Sequence, residues 1–281
     1  MQSDSHTLAG GTEDTTDDTA DAAVTLRDWG MSGSRGPVFS DIDLTVESGA
    51  LAIIRGAAGS GKTSLLLSIA GRMRVDSGEG HVFDLDIRKQ ARAVRETVSI
   101  GHVAGLTDLE NDFTVAQHIA ERLIMLQPWY KPWVSKTSLR EVIDLIRSTF
   151  DTATKVIDRL PSDTFTTSDA KSADFLVDAD GDTFVSDLSE LQKFLLEFGL
   201  ATLAQKPIVV VDNIDFLRER EDRARAWAAL LIYQELRRDR HPRRPLTLIV
   251  TCEDSSEIDL AFAQLKTEVR PTSVTELNLT P

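Results

Sequence analysis

The sequence predicts an α/β protein with a mainly parallel sheet, an antiparallel N-terminal β part and an inserted helical subdomain. Three observations carry that expectation. Leu51 to Ile54 is continuously apolar, as a strand covered on both faces must be, and a glycine-rich turn and an apolar helical run from Leu65 to Ala70 follow at once. Two further apolar runs, Ile208 to Val211 and Leu246 to Val250, sit behind segments of helical period, which is the rhythm of a sheet with helices on both faces. Upstream, Val24 and Leu26, then Ile42, Leu44 and Val46, alternate with polar residues as half-buried strands do.

Residues 1–23 are rich in Thr, Asp and Gly, carry six carboxylates and no Lys or Arg, and hold too little apolar surface to offset the entropy of ordering. A disordered acidic tail is expected there. Residues 24–110 supply the first part of the α/β core and residues 180–281 the second. Between them, residues 111–179 read as the helical subdomain. Val115, His118, Ile119, Arg122 and Leu123 share one helix face, and Leu139, Val142, Ile143 and Ile146 repeat that spacing behind Ser138 and Glu141, which are placed as a capping box. Pro128-Trp129-Tyr130-Lys131-Pro132-Trp133 breaks the period, either as a rigid, aromatic-packed connection or as an exposed partner contact. In the second part, helices are expected over Ser189 to Leu203 and along the face formed by Ala224, Trp227, Ala228 and Leu231.

Composition narrows the function. With 31 Lys and Arg against 45 Asp and Glu the net charge is −14, and about −8 without the tail, so nothing draws the body towards nucleic acid phosphates. Cys252 is the single cysteine, which excludes a disulfide framework and a cysteine zinc site. His6, His81, His102, His118 and His241 show no metal spacing. No stretch approaches the roughly 18 apolar residues of a membrane span, and the N-terminus lacks the basic and apolar regions of a secretion signal. A cytoplasmic protein is expected, reaching a membrane through a partner. The basic run Arg237 to Arg244 reads as a helix end, with Pro242 as the stop; contact with an acidic loop or anionic lipid is the other reading.

Gly56-Ala57-Ala58-Gly59-Ser60-Gly61-Lys62-Thr63 fits G-x-x-x-x-G-K-[ST], and its setting between a buried strand and an apolar helix is the one the chemistry requires. Glycines let the chain fold round a phosphate with N–H groups pointing inward, and the following helix aims its positive end at the same anion. Lys62 should reach the β- and γ-phosphates and Thr63 should offer its hydroxyl to Mg²⁺. The second half of such a site is a carboxylate ending a neighbouring buried strand, and Asp212 supplies it after Ile208 to Val211. The 150 residues from Lys62 to Asp212 leave room for the helical insertion.

From about residue 24 to 260 the chain resembles the ATP-binding subunit of ABC transporters, a P-loop NTPase family. Beside the phosphate loop, Asp41 to Gly49, Leu65 to Gly71 and Asp76-Ser77-Gly78-Glu79 carry the resemblance. It implies ATP and Mg²⁺ as cofactors. The nucleotide would be held by Gly56, Ala57, Ala58, Gly59, Ser60, Gly61, Lys62, Thr63 and Ser64, and the metal by Thr63 and Asp212. It also implies a homodimer or heterodimer sandwiching two nucleotides, coupled to a membrane-embedded partner at the inner face of the membrane. Several stations are altered. The signature, Leu-Ser-Gly-Gly-Gln in the family, is Leu188-Ser189-Glu190-Leu191-Gln192 here. Ser189 faces the partner's γ-phosphate if the family role persists, although Ser189 and Gln192 also have the spacing of a capping box. Asn213 stands where the family has the water-polarising glutamate, and Cys252 where it has a histidine on the γ-phosphate. The glutamine that links metal and water falls near Gly105, with Asp108 or Glu110 as substitutes. Trp29 is the nearest adenine-stacking aromatic, or else a core residue. In these alterations the chain loosely resembles actinobacterial ATP-binding proteins associated with YhgE/Pip-type membrane proteins.

With Lys62, Asn213 and Cys252 at the catalytic stations, the resemblance implies an ABC-type ATPase by its fold and motifs. It would bind Mg-ATP, dimerise and hydrolyse slowly, because an amide positions water but cannot take its proton. The alternative is a regulatory or scaffold module that uses nucleotide as a dimerisation ligand without a transport cycle.

Overall fold

A computed structural model describes residues 22–34, 36–160, 164, 181–265, 271 and 273–279. The expected acidic tail lies outside the described residues except for its last two, as do residues 165–179 of the helical insertion.

The alternating segment at the start folds into β1 (Ala22–Gly33) and β2 (Gly36–Glu47), an antiparallel pair that β4 (Ser77–Val82) and β5 (Leu85–Asp86) extend in the order β2-β1-β4-β5. The apolar runs become β3 (Leu51–Gly56), β7 (Ile208–Val211) and β8 (Thr247–Cys252). With β6 (Val98–His102) and β9 (Val274–Leu279) they form a second sheet, order β6-β7-β8-β3-β9, parallel at every pairing. The expected architecture, a parallel sheet with an antiparallel N-terminal part and helices between, is the one observed.

Side chains alternate across a strand, so each central strand serves two cores. Ala52, Ile54, Ile208, Val210 and Ile249 pack with β1, β2 and α1 (Lys62–Ile69). Their neighbours Leu51, Ile53, Val209, Val211, Leu248 and Val250 pack on the opposite face with α3 (Val115–Leu126), α4 (Lys136–Ile157), α5 (Glu190–Thr202) and α6 (Arg220–Arg240). Helices α3 and α4 therefore share their apolar residues with the sheet: Ile119 of α3 and Ile143, Ile146 and Phe150 of α4 belong to that second core. Two short helices, α2 (Ala91–Thr97) before β6 and α7 (Ser256–Gln264) after β8, complete the described residues.

Local chemistry sets the ends of the helices. Thr114 and Gln117 make a reciprocal capping box at α3. At α4 the cap is Ser135, whose Oγ accepts the Ser138 N–H at 3.0 Å, so Ser138 lies one turn inside the helix rather than at its cap. The helix starts earlier than its apolar face does, because Lys136 and Thr137 carry no periodic signal. The helix α6 ends at Arg240, inside the basic run and just before Pro242, as the helix-end reading expects. Trp29 is a core residue: it is fully buried and its Nε1 donates to Ser68 Oγ at 2.9 Å. The aromatic-packed reading of Pro128 to Trp133 fails, since Trp129, Tyr130 and Trp133 are all exposed.

Candidate functional site

The sheet order puts β8 between β3 and β7, so the loop that leaves β3 and the carboxylate that ends β7 meet across one intervening strand. That loop, Ala57 to Gly61, turns into α1 with φ of +82° at Gly59 and +89° at Gly61. Glycine is required at Gly61 for a second reason. A Cβ there would stand 2.6 Å from the Val38 carbonyl oxygen of β2, whereas at Gly59 it would meet open space. One side of the loop is thus pressed onto β2 while the other is left clear.

Lys62 folds back over the loop, its Nζ donating to Gly56 O at 2.6 Å and Ala57 O at 2.8 Å. The N-terminus of α1 has no side-chain cap, so the N–H groups of Lys62, Thr63 and Ser64 have no partner inside the helix. Ser60 Oγ is buried without a hydrogen-bond partner among the described residues. An open cradle, uncapped helical amides, a buried orphan hydroxyl and an ammonium group within the loop form a set that fits a phosphate chain.

Asp212 lies at the centre of the polar contacts. Thr63 Oγ1 donates to its Oδ2 at 2.7 Å, Thr251 Oγ1 donates to its Oδ1 at 2.6 Å, and its own N–H donates to His102 O at 2.8 Å. The Thr63 hydroxyl and the Asp212 carboxylate are the hard oxygen donors that Mg²⁺ takes. Among the described residues no three His, Cys, Asp or Glu side chains gather to hold a metal unaided.

Thr251 and His102 were not singled out from the sequence. Thr251 is fully buried on β8, and its Oγ1 also accepts the Asn213 N–H at 2.7 Å, so one hydroxyl fixes both the carboxylate and the residue after it. The signal was one of two threonines, Thr247 and Thr251, in an otherwise apolar strand, whose hydroxyls must find partners when buried. We expect Thr251→Val to cost about 1–3 kcal/mol of stability, as an Asp212 oxygen and the Asn213 N–H lose their partner. Chemical denaturation should show this, along with weaker Mg-nucleotide binding. His102 ends β6, stacks on Phe216 with ring centroids 4.3 Å apart, and bonds through Nδ1 to Glu197 Oε2 of α5. Burial pushes the Glu197 carboxyl up, against the opposing pull of His102. The pair ties α5 to the end of β6, whose His102 carbonyl accepts the Asp212 N–H.

The altered stations have definite places. Asn213 occupies the left-handed region, φ +51°, where Asn is among the better tolerated side chains, and a short 3-10 turn over Ile214–Phe216 follows. Two residues on, burial pushes the Asp215 carboxyl up, against the Glu253 N–H that donates to its Oδ2 at 2.6 Å. Cys252 is fully buried in the core against the helices, and its thiol is pushed up to about 12, first by burial and then by Asp215. It is an uncharged group at neutral pH. Ser189 caps α5: its Oγ accepts the Gln192 N–H at 3.2 Å and Gln192 Oε1 accepts the Ser189 N–H at 2.8 Å. That leaves the hydroxyl proton of Ser189 available as a donor. Glu190 beside it pairs with Lys193 at 3.4 Å. The Gly105 loop closes on itself, its N–H donating to Asp108 Oδ1 at 2.9 Å.

Residues 39–215 match the family described as ABC transporter. The nucleoside import ATP-binding protein NupA of Lactococcus lactis is 32% identical over 117 residues, which is 41% of this chain and 23% of that protein. The cytochrome c biogenesis ATP-binding export protein CcmA of Methylococcus capsulatus is 43% identical over 70 residues, 25% of this chain and 34% of that one. The matches thus span well under half the length of these curated relatives. Among solved structures, the ATP-binding cassette MJ0796, a dimer bound to ADP and Pi, superposes with a TM-score of 0.58 at 16% identity, covering 92% of this chain and 97% of that one. The cbiO1 protein of Clostridium perfringens, part of the cbiONQ complex, gives 0.58 at 16% identity over 86% and 82%. At such identity the likeness speaks for the fold.

Proposed function

The chain belongs to the ABC transporter family, and from that premise we propose that it is an ATP-binding cassette that binds Mg-ATP tightly, turns it over slowly and uses it to dimerise. The observation that carries this reading is the contrast around Asp212. The residues that would hold Mg-nucleotide in this reading lie together, with Lys62 on the loop carbonyls and Thr63 and Thr251 on the two oxygens of the Asp212 carboxylate. The groups that would take a proton or carry a charge to the γ-phosphate are an amide, Asn213, and a buried neutral thiol, Cys252.

In this reading the amides from Gly59 to Ser64 and the Lys62 ammonium bind the phosphates, while Thr63 and Asp212 hold the hydrated Mg²⁺. The metal supplies charge neutralisation when bound. Asn213 orients a water without deprotonating it, and the Ser189 hydroxyl contributes to a nucleotide held by a second cassette. A membrane-embedded protein is the proposed output, as the names of the relatives NupA and CcmA suggest for an import and an export system. Among the described residues no helix is long and apolar enough to cross a membrane. The Asn213 amide also favours a second reading, in which ATP acts only as an assembly ligand.

Calorimetry with Mg-ATP, light scattering with ATP, ADP or neither, and phosphate release together test the proposal. Heat of binding, an ATP-specific dimer and slow release are expected. No heat, or brisk hydrolysis abolished by Lys62→Ala, overturns it; an ATP-specific dimer with no release at all selects the assembly reading.

A further inference from the structure

Two of the four tryptophans and one of the two tyrosines of the chain fall within five residues, at Trp129, Tyr130 and Trp133. The structure turns all three outwards: Trp129 is 92% exposed, Tyr130 65% and Trp133 62%. Met125, at the end of α3 just before them, is 66% exposed. The loop is held in shape while its rings stand in solvent. Lys131 N–H donates to Pro128 O at 2.9 Å, and with its amide turned to donate, Gln127 reaches Lys131 O at 2.8 Å and Trp133 O at 3.1 Å. Charge near the rings is positive along the chain: residues 125–136 contain two cations, Lys131 and Lys136, and no carboxylate, in a chain whose net charge is −14.

We propose that this loop, with the end of α3, is a direct contact with the surface of an anionic lipid bilayer. Large exposed apolar side chains cost free energy in water, and the patch holds the side chains suited to an interface. Trp and Tyr place an apolar ring below the headgroups and a polar tip among them, while Lys extends its ammonium to the phosphates. Trp129 projects from a turn bounded by Pro128 and Pro132 and is already in solvent, so it can enter a soft surface without rearrangement of the chain. The acidic remainder of the chain is repelled by the same membrane, so the patch fixes which side faces it. The proposal does not depend on nucleotide chemistry.

The full chain should sediment with vesicles of phosphatidylglycerol and phosphatidylcholine in equal parts, less so as salt rises, and not with pure phosphatidylcholine. Tryptophan emission should shift to the blue on binding; Trp29 and Trp227 are already fully buried, so the shift reports the loop. The W129A/W133A double variant should bind anionic vesicles at least about tenfold more weakly, and Lys131→Glu should remove part of the salt dependence. Unchanged Mg-ATP calorimetry of both variants separates this result from the fate of the nucleotide reading. The proposal is overturned if anionic vesicles retain nothing or retain the double variant equally. It also fails if retention requires membrane proteins and is lost on vesicles of the extracted lipid, which would make the loop a protein-docking surface.

Discussion

Lys62→Ala should weaken Mg-ATP binding by at least about a hundredfold, the consequence of leaving bound anionic oxygens without their one buried cation. The side chain lies 7% exposed within the loop, and its Nζ is already committed to Gly56 O and Ala57 O. It therefore has two duties. It holds the loop carbonyls inwards in the absence of nucleotide, and it supplies charge to the phosphates when nucleotide is present. The substitution should consequently also lower stability by about 1–3 kcal/mol, because two carbonyl oxygens lose a charged donor. Titration calorimetry measures the first effect and denaturant unfolding the second. Equal affinity in the variant would mean that the loop is no phosphate cradle. A loss of affinity without loss of stability would mean that the carbonyl contacts are replaced by water at no cost.

The part of this site that could be read in the sequence is the part dictated by local chain geometry. A strand buried on both faces, a turn that needs left-handed glycines and a helix that starts on Lys62 are consecutive, so the phosphate loop announced itself. The strand ending at Asp212 was visible because Ile208 to Val211 is apolar throughout. What stayed hidden depends on neighbours distant in sequence. Thr251 matters only because β8 runs between β3 and β7, an order that no window of sequence contains. The strands β4, β6 and β9 were missed for local reasons. Gly78 and Gly80 dilute β4, β6 is five residues long with a glycine, and β9 is an edge strand that buries only Leu279. The Pro128 to Trp133 loop was misjudged in its bland reading, since aromatic residues between helices are ordinarily core.

Asn213→Glu should raise ATP turnover by about a hundredfold or more, within the range of about 10²–10⁴ that a positioned general base contributes. Two opposing terms set the size of the gain. Asn213 has φ +51°, a conformation in which a longer side chain without local hydrogen bonding costs about 1 kcal/mol or more, so the variant should be somewhat less stable than the parent. Against this, the Asn213 N–H is held by Thr251 Oγ1 at 2.7 Å, which keeps the backbone of the turn that presents the new carboxylate. Phosphate release measures the gain and denaturant unfolding the cost, and Mg-ATP affinity should change little, because Lys62, Thr63 and Asp212 are untouched. If turnover stays at the parent level with binding intact, Asn213 is not what holds hydrolysis back. The deficit then lies at the second cassette's Ser189-Glu190-Leu191 segment, where two glycines of the family pattern have been replaced and the Glu190 carboxylate stands beside the serine that should meet the phosphate.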